Sequence, residues 1–183
     1  MASWNVNGKL VSEKEFDSYW FSADPYEAIF NHMPEDGGFA LVEPAIDLPT
    51  YQSLIKVDKA YFELGFDGKE TYQRIRSDKD FEPPKCYSLD THVEAVNAPK
   101  SKQLQIGREY QFQFYIPRGR TVAIIDSEGN WTYFESEKGI FSLDYTPSEQ
   151  GELNICVKLK RLGRKYSTFI VYEVPNNHLE INS

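Results

Sequence analysis

Alternation is the feature that most restricts this chain. Tyr110, Phe112, Phe114 and Ile116 share one face of an extended segment and Gln111 and Gln113 the other, the period of two that a half-buried strand requires. Pro117 to Gly119 turns the chain into a segment carrying Val122 and Ile124, and Asp126-Ser127-Glu128-Gly129-Asn130 turns it again into Trp131 to Phe134. Gly139 precedes Phe141, Leu143 and Tyr145. Thr146-Pro147 through Gly151 leads to Leu153, Ile155, Val157 and Leu159, and a hairpin at Leu162-Gly163 leads to Tyr166, Thr168, Ile170, Tyr172 and Val174. With a strand near His92 to Val96, about seven or eight strands separated by turns at about ten-residue intervals predict a mainly β chain, an Ig-like antiparallel β-sandwich over residues 58–175. Residues 176–183 form a polar tail.

Residues 1–57 read differently, as short helices and irregular connections. Asp24 is an N-cap, Pro25 stands at the first helical position and Glu27 in the first turn, so a helix is predicted over Tyr26 to His32, ended by Pro34 and Gly37-Gly38. A second short helix starts at Asp47 or Leu48, with Pro49 at its head and Tyr51, Leu54 and Ile55 on one side. Tyr61-Phe62-Glu63-Leu64-Gly65-Phe66 reads as a strand. Residues 67–90 are charged and broken by Pro83-Pro84, and are predicted to be a long mobile or binding loop.

Composition limits function. Aromatic residues make up 15% of 183 residues, a usage that suits pleated surfaces. The formal charge of −8 opposes binding to nucleic acid, which needs a surplus of Lys and Arg on one face. Lys158, Lys160, Arg161, Arg164 and Lys165 do cluster, and their alternation with Leu159 and Leu162 places them on the solvent side of a hairpin. No stretch nears the roughly 20 apolar residues of a membrane span, and the first residues lack a signal-peptide layout, so the expectation is a soluble, cytoplasmic chain without membrane or nucleic-acid partners. Two cysteines make no disulfide framework.

Candidate chemistry is thin. Cys86 and His92 are the nearest approach to a thiol–imidazole pair, but Cys86 lies in a Pro-rich loop with no helix after it to lower its pKa. Cys156 alternates with the core set and shares a face with Asn154 and Lys158, partly covered by a neighbouring element. A Cys86–Cys156 bridge of the antibody kind is not expected, because Trp131 lies too far past the first cysteine and Asn154 stands where a corner tyrosine belongs. His32, Glu35 and Asp36 are broken by Pro34 and have no second cluster to complete a metal site. His32 instead suits the C-terminal end of its helix. Asp67 with Glu70, and Asp78 with Asp80, lack apolar surroundings that would raise a carboxyl pKa. Phosphate-binding glycine loops are absent, and no cofactor is expected. Tyr115, Trp131 and Tyr133 are candidates for an exposed platform, set against their ordinary use in filling two sheets.

The N-terminal string carries a resemblance. Trp4, Val6-Asn7-Gly8-Lys9, Phe16-Asp17, Asp24-Pro25, Ile29, His32 and Pro34-Glu35-Asp36 match a pattern that resembles the stretch just downstream of the active site in transglutaminase-like proteins of the kyphoscoliosis-peptidase type. A phrase like Tyr61-Phe62-Glu63-Leu64-Gly65 is similar to that family too, and Thr146-Pro147 to Leu153 and Tyr172-Glu173-Val174 resemble its C-terminal half by pattern. In that family a Cys and a His lie well upstream, and an Asp precedes by three residues the Trp that Trp4 matches; here that place is Met1. The resemblance therefore implies a remnant of the transglutaminase-like region over residues 1–57. It implies no catalytic residue, and one active-site wall position, Trp4. Asp24, Pro25, His32, Pro34, Glu35 and Asp36 become structural motif positions.

Three functions follow as expectations. The first is a non-catalytic protein-interaction or scaffold module, a pseudoenzyme whose partner is a protein, cytoskeletal by family analogy. Another is the C-terminal accessory part of a longer Cys-His-Asp acyltransferase or protease. The last is a carbohydrate-binding β-sandwich using exposed aromatics.

Overall fold

The computed structural model describes residues 23–33, 41–160 and 165–176, together with the backbone of 2–6 and 9–13. The Leu162-Gly163 hairpin, Pro34, Glu35, Asp36 and residues 177–183 of the polar tail lie outside the described residues.

The chain is mainly β, and its two antiparallel sheets form a β-sandwich. Strands β3 (Lys85–Cys86), β11 (Ser167–Val174), β10 (Gly151–Lys158), β6 (Thr121–Ile125) and β7 (Trp131–Tyr133) make a five-stranded sheet in that order. Strands β4 (Glu94–Asn97), β5 (Tyr110–Tyr115), β9 (Ile140–Tyr145) and β8 (Glu135–Glu137) make a four-stranded sheet. After β4, Gln103 forms a parallel bridge to Glu173 of β11. The chain thus leaves one sheet and touches the other before β5, and the order β4-β5-β9-β8 against β11-β10-β6-β7 is the ABED and GFC arrangement of an immunoglobulin-like sandwich with one added strand.

The core lies between the sheets. Phe112, Phe114, Ile116, Ile124, Ile155, Phe169, Ile170 and Tyr172 are at most 1 to 2% exposed. Phe114 meets Phe169 edge-on at 5.1 Å and Phe112 meets Tyr172 at 5.7 Å, the offset geometries that ring quadrupoles favour. A bulge corrects the simple alternation of the last strand. Ile155 pairs with Ile170 but Cys156 pairs with Thr168, leaving Phe169 as the extra residue. Both Phe169 and Ile170 are fully buried, and Thr168 moves off the face that carries Ile170 and Tyr172.

Before the sandwich the chain is largely helical. Helix α1 (Pro25–Ala28) opens on Asp24, whose side chain accepts from the Tyr26 N–H at 2.9 Å; α2 (Leu48–Ser53) opens on Asp47, which accepts from the Thr50 N–H at 3.0 Å. The segment predicted as a strand at Tyr61 to Phe66 is instead helix α3 (Lys59–Glu63), ended by Gly65 at φ +91° with its N–H on the Phe62 carbonyl at 2.8 Å. Glycine at that left-handed position stops a helix without a Cβ penalty, and this overrides the aromatic strand propensity. The loop predicted over 67–90 holds helix α4 (Gly68–Ser77) and then β3. Asp67 caps α4 by accepting from the Glu70 N–H at 2.6 Å, Arg74 and Arg76 occupy its last turn, and Thr71 and Tyr72 are buried. At the N-terminus, where short helices and irregular connections are predicted, β1 (Ala2–Val6) and β2 (Lys9–Glu13) pair from Ala2↔Glu13 to Val6↔Lys9. Asn7-Gly8 between them is the dipeptide that most strongly signals a hairpin.

These helices are joined to the sandwich by apolar contact. Phe30 stacks on Phe62 at 5.7 Å, Tyr61 stacks on Phe66 at 4.3 Å, and the whole set is continuous with the sandwich core. Polar clips add to it: the Lys100 ammonium meets Glu70 of α4, and Lys102 bridges Glu82 at 3.3 Å and Glu173 at 2.8 Å, while within the helical part the Tyr72 hydroxyl donates to the Pro44 carbonyl at 2.7 Å.

Candidate interaction face

Directly paired residues in a sheet point to the same side, so the register defines two faces of the five-stranded sheet. The row Thr132–Ile124–Ile155–Ile170–Cys86 faces the core. The next row, Trp131–Ile125–Asn154–Val171–Lys85, faces outward, and so does Tyr133–Ala123–Cys156–Thr168. Two of the three aromatics singled out in the sequence thus lie two residues apart on edge strand β7 and on one face.

Trp131 is 42% exposed and Tyr133 55%, unusual values for side chains of this size. Their rings stack at 6.1 Å, and Trp131 meets the Tyr166 ring edge-on at 4.8 Å. Strands β7 and β11 are three strand spacings apart, about 14 Å. The contact between Trp131 and Tyr166 therefore closes over β6 and β10, whose outward residues there are the small Ala123 and Cys156. Ala123 is 0% and Cys156 3% exposed, yet neither belongs to the core between the sheets. The result is an aromatic arch on a floor of small side chains. Tyr166 was missed as a site residue because its alternation with Ile170 and Tyr172 put it on the core side; the bulge at Phe169 is what reverses it.

Tyr115 is not part of this cluster. It lies on β5 in the other sheet, opposite Glu94 and Ile140, with the His92 ring at 6.2 Å.

The remaining candidates have separate environments. Cys86 is in β3, not in a loop; its thiol donates weakly to the Pro84 carbonyl at 3.5 Å, and burial pushes its pKa far up, the reverse of what a nucleophilic thiolate needs. His92 is exposed and faces Glu94 at 3.9 Å. Cys156 is also raised by burial, with its contact to the Thr168 hydroxyl at 3.2 Å pulling the other way. Both cysteines are free thiols. His32 follows α1 and donates its backbone N–H to the Ala28 carbonyl at 2.8 Å. Trp4 pairs with Val11 in the N-terminal hairpin. Among the described residues no three His, Cys, Asp or Glu side chains group as metal ligands, and no helix is long and apolar enough to cross a membrane.

A cleft of about 380 Å³ lies where β3 and β11 meet the segment before α3, lined by Ile55, Val57, Asp58, Pro84, Lys102 and Val171 among others. Lys102 is paired there with both Glu82 and Glu173. The hydrogen bond to Glu173 raises the Lys102 pKa, and Glu82 adds to this against the cost of partial burial. Lys85 is likewise raised, chiefly by its hydrogen bond to Tyr87. Neither ammonium is poised to lose its proton, as a catalytic lysine would be.

No family model matches the chain, and no curated protein matches it. Among solved structures, a crystal structure of a Salmonella alpha-2-macroglobulin mutant has a TM-score of 0.30 at 9% identity, over 50% of this chain and 7% of that one.

Proposed function

We propose that the chain is a protein-interaction module of the β-sandwich type, related to the non-catalytic region downstream of the active site in transglutaminase-like proteins, and that it binds through the outward face of the five-stranded sheet. One observation carries the reading: Trp131 and Tyr133 stand exposed side by side on an edge strand and are closed by Tyr166 into one aromatic surface. Large rings with a polar tip are the side chains that dominate protein interfaces, since they bury much area at little rotamer cost. The buried, hydrogen-bonded state of Cys86 favours binding over thiol chemistry.

The test uses the full chain immobilised beside a Trp131→Ala/Tyr133→Ala variant of equal thermal stability. Proteins from the native source that are retained by the wild type and lost by the variant, and that bind again when purified, support the reading. Equal retention by both, or turnover of amine and glutamine substrates that a Cys86→Ala variant abolishes, defeats it.

A further inference from the structure

Charge on the outward face is divided by position along the strands. On β10 the outward residues run from Glu152 through Asn154 and Cys156 to Lys158. Asp126, Glu128 and Glu149 belong to the turns at the Glu152 end. At the other end stand Lys158, Lys160 and Lys165, and the sequence between Glu152 and Glu173 holds no acidic residue. The Arg120 N–H donates to the Lys158 carbonyl at 2.8 Å, which brings another base to the same end.

These bases adjoin the aromatic arch. Lys158 pairs with Thr121 in the row directly beyond Tyr133–Ala123–Cys156–Thr168, on the same face, and Lys165 immediately precedes Tyr166. Among the described residues, Arg120, Lys158, Lys160 and Lys165 take part in no ion pair, a state they share with other bases such as Lys56, Arg76 and Arg118, so it is their place beside the rings that sets them apart. On a chain with a net charge of −8, a set of bases without carboxylates beside exposed rings is complementary to an acidic ligand.

We propose that this face receives an acidic, extended segment of a partner protein, its carboxylates on Lys158 and Lys165 and its apolar side chains against Trp131, Tyr133 and Tyr166. The inference rests on the protein-binding reading and supplies the partner's chemistry. A long phosphate polymer fits less well. Beyond a Debye length of about 8 Å it would run over a body of its own sign, while a short acidic segment keeps its charge at the basic end and gives the rings the apolar contacts they lack.

The experiment is fluorescence anisotropy of the full chain with a labelled peptide of about ten residues composed of Glu and Phe, long enough to cross the sheet as an extended strand. Its counterpart with Lys for Glu, and an oligothymidylate, serve as comparison probes. The Glu peptide is expected to bind, to weaken as salt rises, and to lose at least about tenfold in affinity with Lys158→Glu/Lys165→Glu. Lys165→Glu alone, outside β11, gives the same direction if the double variant fails to fold. Absence of binding by the Glu peptide, equal binding of the Lys peptide, tighter binding of oligothymidylate, or indifference to the charge reversals overturns the inference. Native-partner capture that depends on Trp131 and Tyr133 but ignores the reversals overturns the acidic partner and leaves the protein-binding reading standing.

Discussion

The Tyr172 hydroxyl donates to the Pro99 carbonyl at 2.9 Å, across 73 residues of sequence. The ring is fully buried against Phe112, and burial holds the phenol pKa well above its ordinary value, so the hydroxyl stays protonated as a donor. This bond fastens the segment between β4 and β5 to the middle of the core. Tyr172→Phe keeps the ring and removes the donor, leaving the Pro99 carbonyl without its partner. A loss of about 1–3 kcal/mol in urea unfolding is expected. An unchanged midpoint would show that this carbonyl finds another donor.

Gly151 begins β10 at φ +132°, a region that L side chains rarely adopt, and a Cβ built there would run into Cβ and Oγ of Ser127. Gly151→Ala therefore meets two costs, backbone strain and overlap, and is expected to destabilise by about 2–4 kcal/mol. Ser127→Gly removes the overlapping atoms. In the double variant thermal denaturation should recover part of the loss and retain the strain; no recovery would place the whole cost in the backbone.

The sandwich was legible because its signal is a strict period of two. Phe112/Phe114 and Ile155/Val157 face the core as the alternation requires. The bulge at Phe169 was not legible, since no glycine or proline marks it and a slip of one residue reassigns Tyr166 and Thr168 together. Helix α4 was legible in principle: Asp67 three residues before Glu70 is a capping pattern, and Thr71, Tyr72 and Ile75 fall on one side. High charge and Pro83-Pro84 hid it. Helix α3 was misread because Tyr61, Phe62 and Phe66 favour strands, whereas Asp58 before it and Gly65 after it are a helix's start and stop. Two of the three rings of the site, Trp131 and Tyr133, were among the aromatic candidates that the sequence offered, and their strand placement puts them on one face. Its closure by Tyr166 depends on a pairing that local pattern does not encode.

Two carboxyls near the Ser127 turn shift in opposite directions. A hydrogen bond that the protonated Glu149 donates to the Glu128 carboxylate, together with the Glu128 charge, raises the Glu149 pKa, whereas for Asp126 burial pushes up but hydrogen bonds from Asn130, Glu128 and Gly129 prevail and lower it. Glu149, raised in the folded state, contributes stability that is full below its ordinary 4.5 and is lost as pH rises through the folded value. Asp126 contributes above its ordinary 3.8 and loses that as pH falls. Glu149→Gln should therefore raise Tm at neutral pH and flatten the decline of Tm above pH 4.5. A variant whose Tm profile parallels the wild type would mean that the two glutamates do not interact in solution.

The aromatic arch also makes a prediction about Cys156. Cys156 is 3% exposed and lies on the outward side of β10, so its shelter comes from what sits over the face and not from the core. Cys86 is 4% exposed but pairs with Ile170 in the core-facing row. The two thiols should then respond differently to loss of a ring. Under native conditions both should react slowly with an aromatic disulfide reagent. Tyr166→Ala should speed Cys156 by at least about tenfold, because removing the cover lowers both the steric barrier and the burial that raises its pKa. Cys86 should keep the wild-type rate, and a Cys156→Ser background identifies which thiol is reporting. Equal acceleration of both would indicate general loosening of the sandwich, and acceleration of neither would mean that Tyr166 does not shelter the floor of the face.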